Sequence, residues 1–185
     1  MPNPRVRDLV AGVLAEPPRL GRTRLVLIDG PAGSGKTTLA GRLGSALGAQ
    51  VLHGDDMYEG WTGLSMLDQV LDQVLAPLAE GRPGGFRRWD WHASARAERL
   101  EVPVDDALVI EGVGVASRAA RARASSLIYV EAPWALRLER GIARDGEGMR
   151  AEWERWHIAE DRHLAREGTR DAAGWIIDGA EPVPE

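Results

Sequence analysis

The segment Gly30-Pro31-Ala32-Gly33-Ser34-Gly35-Lys36-Thr37 restricts the fold of this chain more than any other. The apolar run RLVLID (24–29) precedes it and reads as a buried strand. TTLAGRLGSALG (37–48) follows, with Leu39, Leu43 and Leu47 at helical spacing. A glycine-rich loop between a strand and a helix crowds backbone N–H groups around phosphate oxygens, and the positive end of the helix faces the same point. The spacing Gly-x-x-x-x-Gly-Lys-Thr is that of a Walker A loop. Lys36 is the only lysine in the chain; every other member of the Lys+Arg total of 23 is arginine. Its compact ammonium bridges β- and γ-phosphates where a planar guanidinium would not fit. Thr37 offers a hydroxyl to Mg²⁺. Gly30, Gly33, Ser34, Gly35 and Thr38 complete the expected nucleotide-binding set, with ATP and Mg²⁺ as its ligands. A glycine turn before an ordinary helix is the competing explanation, and it leaves the coincidence of all the fixed positions unexplained.

At 185 residues the chain is expected to form one domain, spanning 1–185, with a core of ordinary size. It has no cysteine, which excludes a disulfide scaffold, a thiolate metal site and a Cys nucleophile, and fits a reducing cytoplasm. A formal charge of −5 and the lack of a basic tract argue against a nucleic-acid partner. No 18-residue apolar run is present, so no membrane span is expected.

Apolar periodicity divides the rest of the chain. Val6, Leu9, Val10, Val13 and Leu14 predict a short helix over 5–15, ahead of the first strand. AQVLHGDD (49–56) reads as a second strand running into a loop, and Leu64 to Leu78 predict a helix over 64–80. DALVIEG (106–112), SLIYVEA (126–132) and GWIIDG (174–179) are further strands; helices are expected at 116–124, 133–145 and 149–166. Alternating strands and helices predict a three-layer α/β fold around a parallel five-stranded sheet. Ligand-binding groups should then collect beyond the C-terminal strand ends.

Four further signals fall at such positions. In HGDDMYEGW (53–61), Asp55 or Asp56 could take a proton from an attacking hydroxyl while the other assists the metal; an exposed acidic turn would look the same. In LVIEG (108–112) an apolar strand ends in Glu111, suited to a Mg²⁺-bound water or a substrate group. In RRWDWHASAR (87–96), Trp89 and Trp91 offer flat faces, and Asp90 and Arg96 could fix polar groups, although a core Trp and a turn Asp would read alike. In RLERGIARD (137–145), Arg137, Arg140 and Arg144 share a helix side and could close over a transferring phosphoryl group, unless Glu139, Asp145 or Glu147 pair with them. His53, His92, His157 and His163 show no metal-ligand spacing, and His157 and His163 read as surface helix residues.

The order of these pieces resembles the uridine kinase family of P-loop kinases, with its phosphoribulokinase and pantothenate kinase relatives. Asp55-Asp56-Met57-Tyr58 stands where that family has Asp-Ser-Phe-Tyr, and Trp89-Asp90-Trp91 where it has Tyr-Asp-Phe, with Arg96 at the closing Arg. Glu111-Gly112 matches its strand end, and residues 137–145 its Arg-rich lid, placed here at 133–148. The resemblance implies a kinase-type strand order, Asp55 as general base and metal-side group, Tyr58 in the acceptor pocket, Glu111 beside the metal, and Arg137, Arg140 and Arg144 on phosphates; Trp61 is expected with Trp89 and Trp91 as a tryptophan lining of that pocket. Two elements depart from it. Trp61-Thr62-Gly63 replaces the Asp-His-Pro that holds a ribose diol, and Ser94 replaces the histidine that reads a pyrimidine. The resemblance therefore implies ATP-dependent phosphorylation of a small-molecule hydroxyl, on a nucleoside-like or other metabolite. The alternative is a P-loop ATPase or nucleotide-binding module acting on a protein partner. A GTPase is disfavoured, since no second lysine remains for an Asn-Lys-x-Asp element.

Overall fold

The computed structural model describes residues 2–185. Its central sheet contains β1 (Arg24–Asp29), β2 (Gln50–His53), β5 (Ala107–Glu111), β6 (Ser126–Glu131) and β7 (Trp175–Asp178), in the order β2-β5-β1-β6-β7. All four pairings are parallel, as the alternation of strands and helices predicts.

Alternate residues of each central strand enter opposite layers. Leu25 and Leu27 of β1, with Leu108 and Ile110 of β5, face one core; Val26, Ile28 and Val109 face the other. The second core is closed by α1 (Val6–Ala15) and by α2 (Lys36–Leu47), through Leu39, Ala40 and Leu43. The first is closed mainly by α3 (Leu67–Ala79), which buries Leu67, Val70, Leu71, Val74, Leu75 and Leu78. Pro77 lies in the last turn of α3. A helix-interior proline costs about 3 kcal/mol, but each buried Val or Leu contributes about 1.5–3 kcal/mol, so the apolar stripe prevails.

Residues 84–102, of which 87–96 are expected only as a binding element, form a separate antiparallel hairpin of β3 (Gly84–Asp90) and β4 (Ala95–Val102). The helix expected at 116–124 shortens to α4 (Arg118–Arg121), and residues 60–66 wind as a 3-10 turn before α3. After β6 come α5 (Trp134–Asp145), α6 (Arg150–Glu167) and the short α7 (Thr169–Ala172). Among the described residues, no helix is long and apolar enough to cross a membrane.

Candidate active site

Parallel strands deliver Asp29, His53 and Glu111 to one edge of the sheet, where the loop 30–35 joins β1 to α2. Gly33 and Gly35 have φ of +76° and +101°, in the left-handed region. A Cβ on Gly33 would lie 2.7 Å from the Arg137 carbonyl oxygen, whereas one on Gly35 would meet nothing closer than 3.9 Å. The loop is therefore packed tightly against α5 on one side and open above Gly35 on the other. Ser34 Oγ is buried there without a hydrogen-bond partner. Lys36 is also buried, and its Nζ donates to the Pro31 carbonyl at 2.8 Å, within its own loop. An orphaned hydroxyl, an open glycine arc and an ammonium resting on a loop carbonyl fit a polyphosphate.

Glu111 organises the neighbouring edge. Its Oε1 accepts from Thr37 Oγ1 at 3.0 Å and lies 2.8 Å from His53 Nδ1. That contact holds the His53 pKa above the ordinary 6.5, against a smaller opposing effect of burial. A hydroxyl and a carboxylate held side by side are the oxygen donors that Mg²⁺ takes when phosphates supply the remainder.

Asp55 and Asp56 are adjacent in sequence but differently engaged. Asp56 pairs with Arg88 at 3.6 Å, and Arg88 also binds Glu98 at 2.8 Å. Among the described residues, the Asp55 carboxylate has no hydrogen bond or ion pair. The residue is exposed to solvent, with neighbouring protein withdrawing part of its hydration. That desolvation, with repulsion from Glu111, raises its pKa above the ordinary 3.8, while Arg144 and Lys36 pull it down.

The three arginines of α5 separate in depth. Arg140 donates to the carbonyls of Gly33 (3.2 Å) and Gly179 (2.9 Å). Arg144 pairs with Asp145 at 2.7 Å, lies over the Trp153 ring, and bears on Asp55 and Glu111 through its charge. Arg137, expected on a phosphate, is instead buried: it donates to the carbonyls of Ala132 and Ala32 and to Glu160. The loop carbonyls lie on the inner side of α5, so the deepest arginine is used up by backbone.

The residues expected to contact an acceptor also divide. Trp61 stands edge-on to Trp91, Trp153 and Trp156, at centroid distances of 5.7, 6.4 and 5.9 Å. Trp91 donates its Nε1–H to the Asp55 carbonyl at 2.8 Å, which ties the hairpin to the carboxylate's own backbone while leaving the ring exposed. Trp89 stacks under Arg96, which binds Glu59 at 2.9 Å. Tyr58, expected in the acceptor pocket, lies in the core; its hydroxyl donates to the Val113 carbonyl at 2.7 Å. Asp90, expected to fix a polar group, accepts from the backbone N–H groups of His92 and Ala93 and so closes the hairpin turn.

Two residues that carried no sequence signal support the loop. Asp29, the last residue of β1, is fully buried and accepts from the N–H groups of Gly30, Gly114 and Ala116. Burial raises its pKa despite those bonds. Glu160 of α6 is fully buried against Arg137 and the Ala32 N–H. His157, Glu160 and Asp161 bring three ligand-type atoms together, but both Glu160 oxygens are already bonded. His163, read as a surface residue, is buried beside Gly114, because α6 packs one face inward there.

A cleft of about 440 Å³ adjoins the phosphate loop, between the start of α2 and the C-terminal segment; Gly35, Thr38, Arg42, Arg140, Gly179 and Val183 are among its walls. Arg42 donates to the Val183 carbonyl at 2.5 Å and pairs with Glu185, which fastens that segment in place.

No family model matches the sequence, and no curated protein matches it. Solved structures do resemble it. One is a possible uridine kinase from Bacillus stearothermophilus, with TM-score 0.69 and 23% identity over 94% of this chain and 97% of that one. Another is a provisionally named fructose transport system kinase from Silicibacter sp., with TM-score 0.58 and 22% identity over 94% of this chain and 97% of that one. The likeness shows the fold, a three-layer α/β arrangement of the P-loop NTPase type around a parallel five-stranded sheet.

Proposed function

We propose that this chain is an ATP- and Mg²⁺-dependent kinase that phosphorylates a hydroxyl group of a small molecule. The observation that carries the reading is the unpaired Asp55 carboxylate in the electrostatic reach of Glu111 and Lys36, with Thr37 held on Glu111 and Lys36 on its own loop. Lys36 leaves the Pro31 carbonyl for the β- and γ-phosphates. The Gly33–Lys36 amides bind the same oxygens, and the cleft between Thr38 and Gly179 receives the nucleobase. Thr37 and Glu111 are the residues that would hold Mg²⁺, whose charge would offset that of the phosphates.

Asp55 is the better base of the two aspartates because Asp56 is engaged in an ion pair with Arg88 and Asp55 in none. Its raised pKa favours proton uptake. The acceptor O–H proton passes to Asp55 as the oxygen bonds to the γ-phosphorus. The bond from that phosphorus to the β,γ-bridging oxygen breaks, and ADP leaves. Arg144 stabilises charge on the transferring group and Arg140 closes over the loop; water exclusion keeps ATP from hydrolysis. Trp61 and Trp91 present ring faces and edges to the acceptor, which suits a flat or apolar body bearing the alcohol.

The test is ADP release from ATP and Mg²⁺ across nucleosides, vitamins and aminoglycoside-like alcohols, with ³¹P NMR of the product. A phosphate ester formed with one class and lost in Asp55→Asn supports the reading. ADP production that depends only on an added protein would replace it with a partner-acting ATPase.

A further inference from the structure

Glu160 is remote in sequence from every phosphate-binding element, yet it is fully buried against the loop. One carboxylate oxygen accepts from Arg137 at 2.7 Å and the other from the Ala32 N–H at 2.8 Å. Arg137 in turn donates to the Ala32 carbonyl at 3.2 Å and the Ala132 carbonyl at 3.0 Å. One buried ion pair thus grips both backbone groups of Ala32, the residue before Gly33, and anchors them to the end of β6. Such a pair adds little net stability, because desolvation offsets most of the attraction. What it supplies is geometry.

The rest of the loop is consistent with a shape imposed from behind. Ser34 Oγ stays buried and unpartnered, an arrangement that persists only where the surroundings hold it. Gly33 is pressed against the backbone of α5, and that contact also passes through Arg137. The helix that carries Glu160 carries Trp153 and Trp156 as well, both edge-on to Trp61 on the acceptor side. α6 therefore spans from the aromatic cluster to the phosphate loop.

We propose that Glu160 is a positioning residue for the phosphate loop: acting through Arg137 and the Ala32 N–H, it fixes the arc in which the Gly33–Lys36 amides converge before a nucleotide arrives. The inference rests on the loop being a nucleotide site. Glu160 touches no phosphate; its contribution is an ordering cost already met in the free protein. Glu160→Gln preserves size and an acceptor for the Ala32 N–H but leaves Arg137 buried without a counter-charge. Glu160→Asp retains the charge on a shorter arm. A residue that merely braced the core would lower the thermal midpoint of both variants and leave the affinity of the folded protein alone.

The experiment is calorimetric titration of adenylyl imidodiphosphate with Mg²⁺ into the full chain, as wild type, Glu160→Gln and Glu160→Asp, beside each thermal midpoint. The expected result is a loss of about tenfold or more in affinity for folded Glu160→Gln, with part of it restored in Glu160→Asp. The Ala32 amide of the nucleotide-free wild type should also exchange slowly with solvent, a measurement that stands if Glu160→Gln does not fold. Glu160→Gln binding within roughly twofold of wild type, Glu160→Asp binding no better than Glu160→Gln, or a rapidly exchanging Ala32 amide would each overturn the inference. Wild-type protein that binds no analogue would overturn the nucleotide reading itself, and this inference with it.

Discussion

At the phosphate loop, Asp29, Arg137 and Glu160 are buried and bond to backbone groups. On the hairpin side of Asp55, Arg88, Arg96 and Trp91 are partly or largely exposed, and the two arginines pair with the carboxylates of Asp56, Glu98 and Glu59. A buried bond to backbone fixes a loop whatever the ligand, as suits a triphosphate common to many reactions. An exposed side-chain pair contributes little rigidity and can be exchanged readily, as suits a surface that differs from one acceptor to another. The two sides meet at Asp55, whose carboxylate feels the charge of Lys36 and whose carbonyl receives Trp91.

Mutations on the two sides should separate accordingly. The largest effects belong to the phosphate side. Asp55→Asn is expected to lower kcat on the order of 10²–10⁴-fold, as for a lost general base, and Lys36→Ala on the order of 10²–10³-fold. Asp56→Asn should lower it by less than about tenfold, since that carboxylate is occupied by Arg88. Steady-state ADP release measures all three, and equal losses in Asp55→Asn and Asp56→Asn would erase the distinction between them. Within the aromatic cluster, Trp153→Ala removes a nearly fully buried indole and should cost about 3–5 kcal/mol of stability in denaturant unfolding. Trp91→Leu should leave stability within about 1 kcal/mol and raise the acceptor KM, with the nucleotide KM unchanged.

The pH dependence sharpens the contrast further. A base must be ionised to act, so kcat/KM should fall on the acid side with a midpoint above the ordinary aspartate value of 3.8, because Asp55 is raised. The smallest expected effect concerns His53 in metal-free protein. Its folded pKa is raised by Glu111, so its contribution to stability is complete below 6.5 and is lost as pH rises through the raised value. Thermal midpoints of wild type and His53→Gln should therefore converge toward alkaline pH; a constant gap would remove the Glu111 contact as its cause.

The same contrast explains which features could be read from the sequence. The loop 30–37, the parallel strands and the Glu111 strand end were legible because phosphate binding and strand burial each demand particular residues at set spacings. The β3-β4 hairpin was not, since β4 reads ARAERLEV and only Val102 is buried, leaving no alternation to detect. Arg137, Arg140 and Arg144 were correctly grouped on one helix side, but spacing gives direction around a helix and not depth within the protein. Arg137 is buried on loop carbonyls while Arg144 remains near Asp55. Tyr58 and Asp90 matched a motif by position, and only their packing assigns them to the core and to a turn. Glu160 is one acid among many on a charged helix, and its role depends on a contact with Ala32 that no local pattern encodes.

The most direct test of the account is a crystal structure of the chain with adenylyl imidodiphosphate and Mg²⁺. The account predicts the terminal phosphate against Lys36, with the Asp55 carboxylate close enough for a single hydroxyl group to bridge the two and Asp56 still on Arg88. A triphosphate lying outside the loop, or Asp56 rather than Asp55 turned toward the terminal phosphorus, would contradict it.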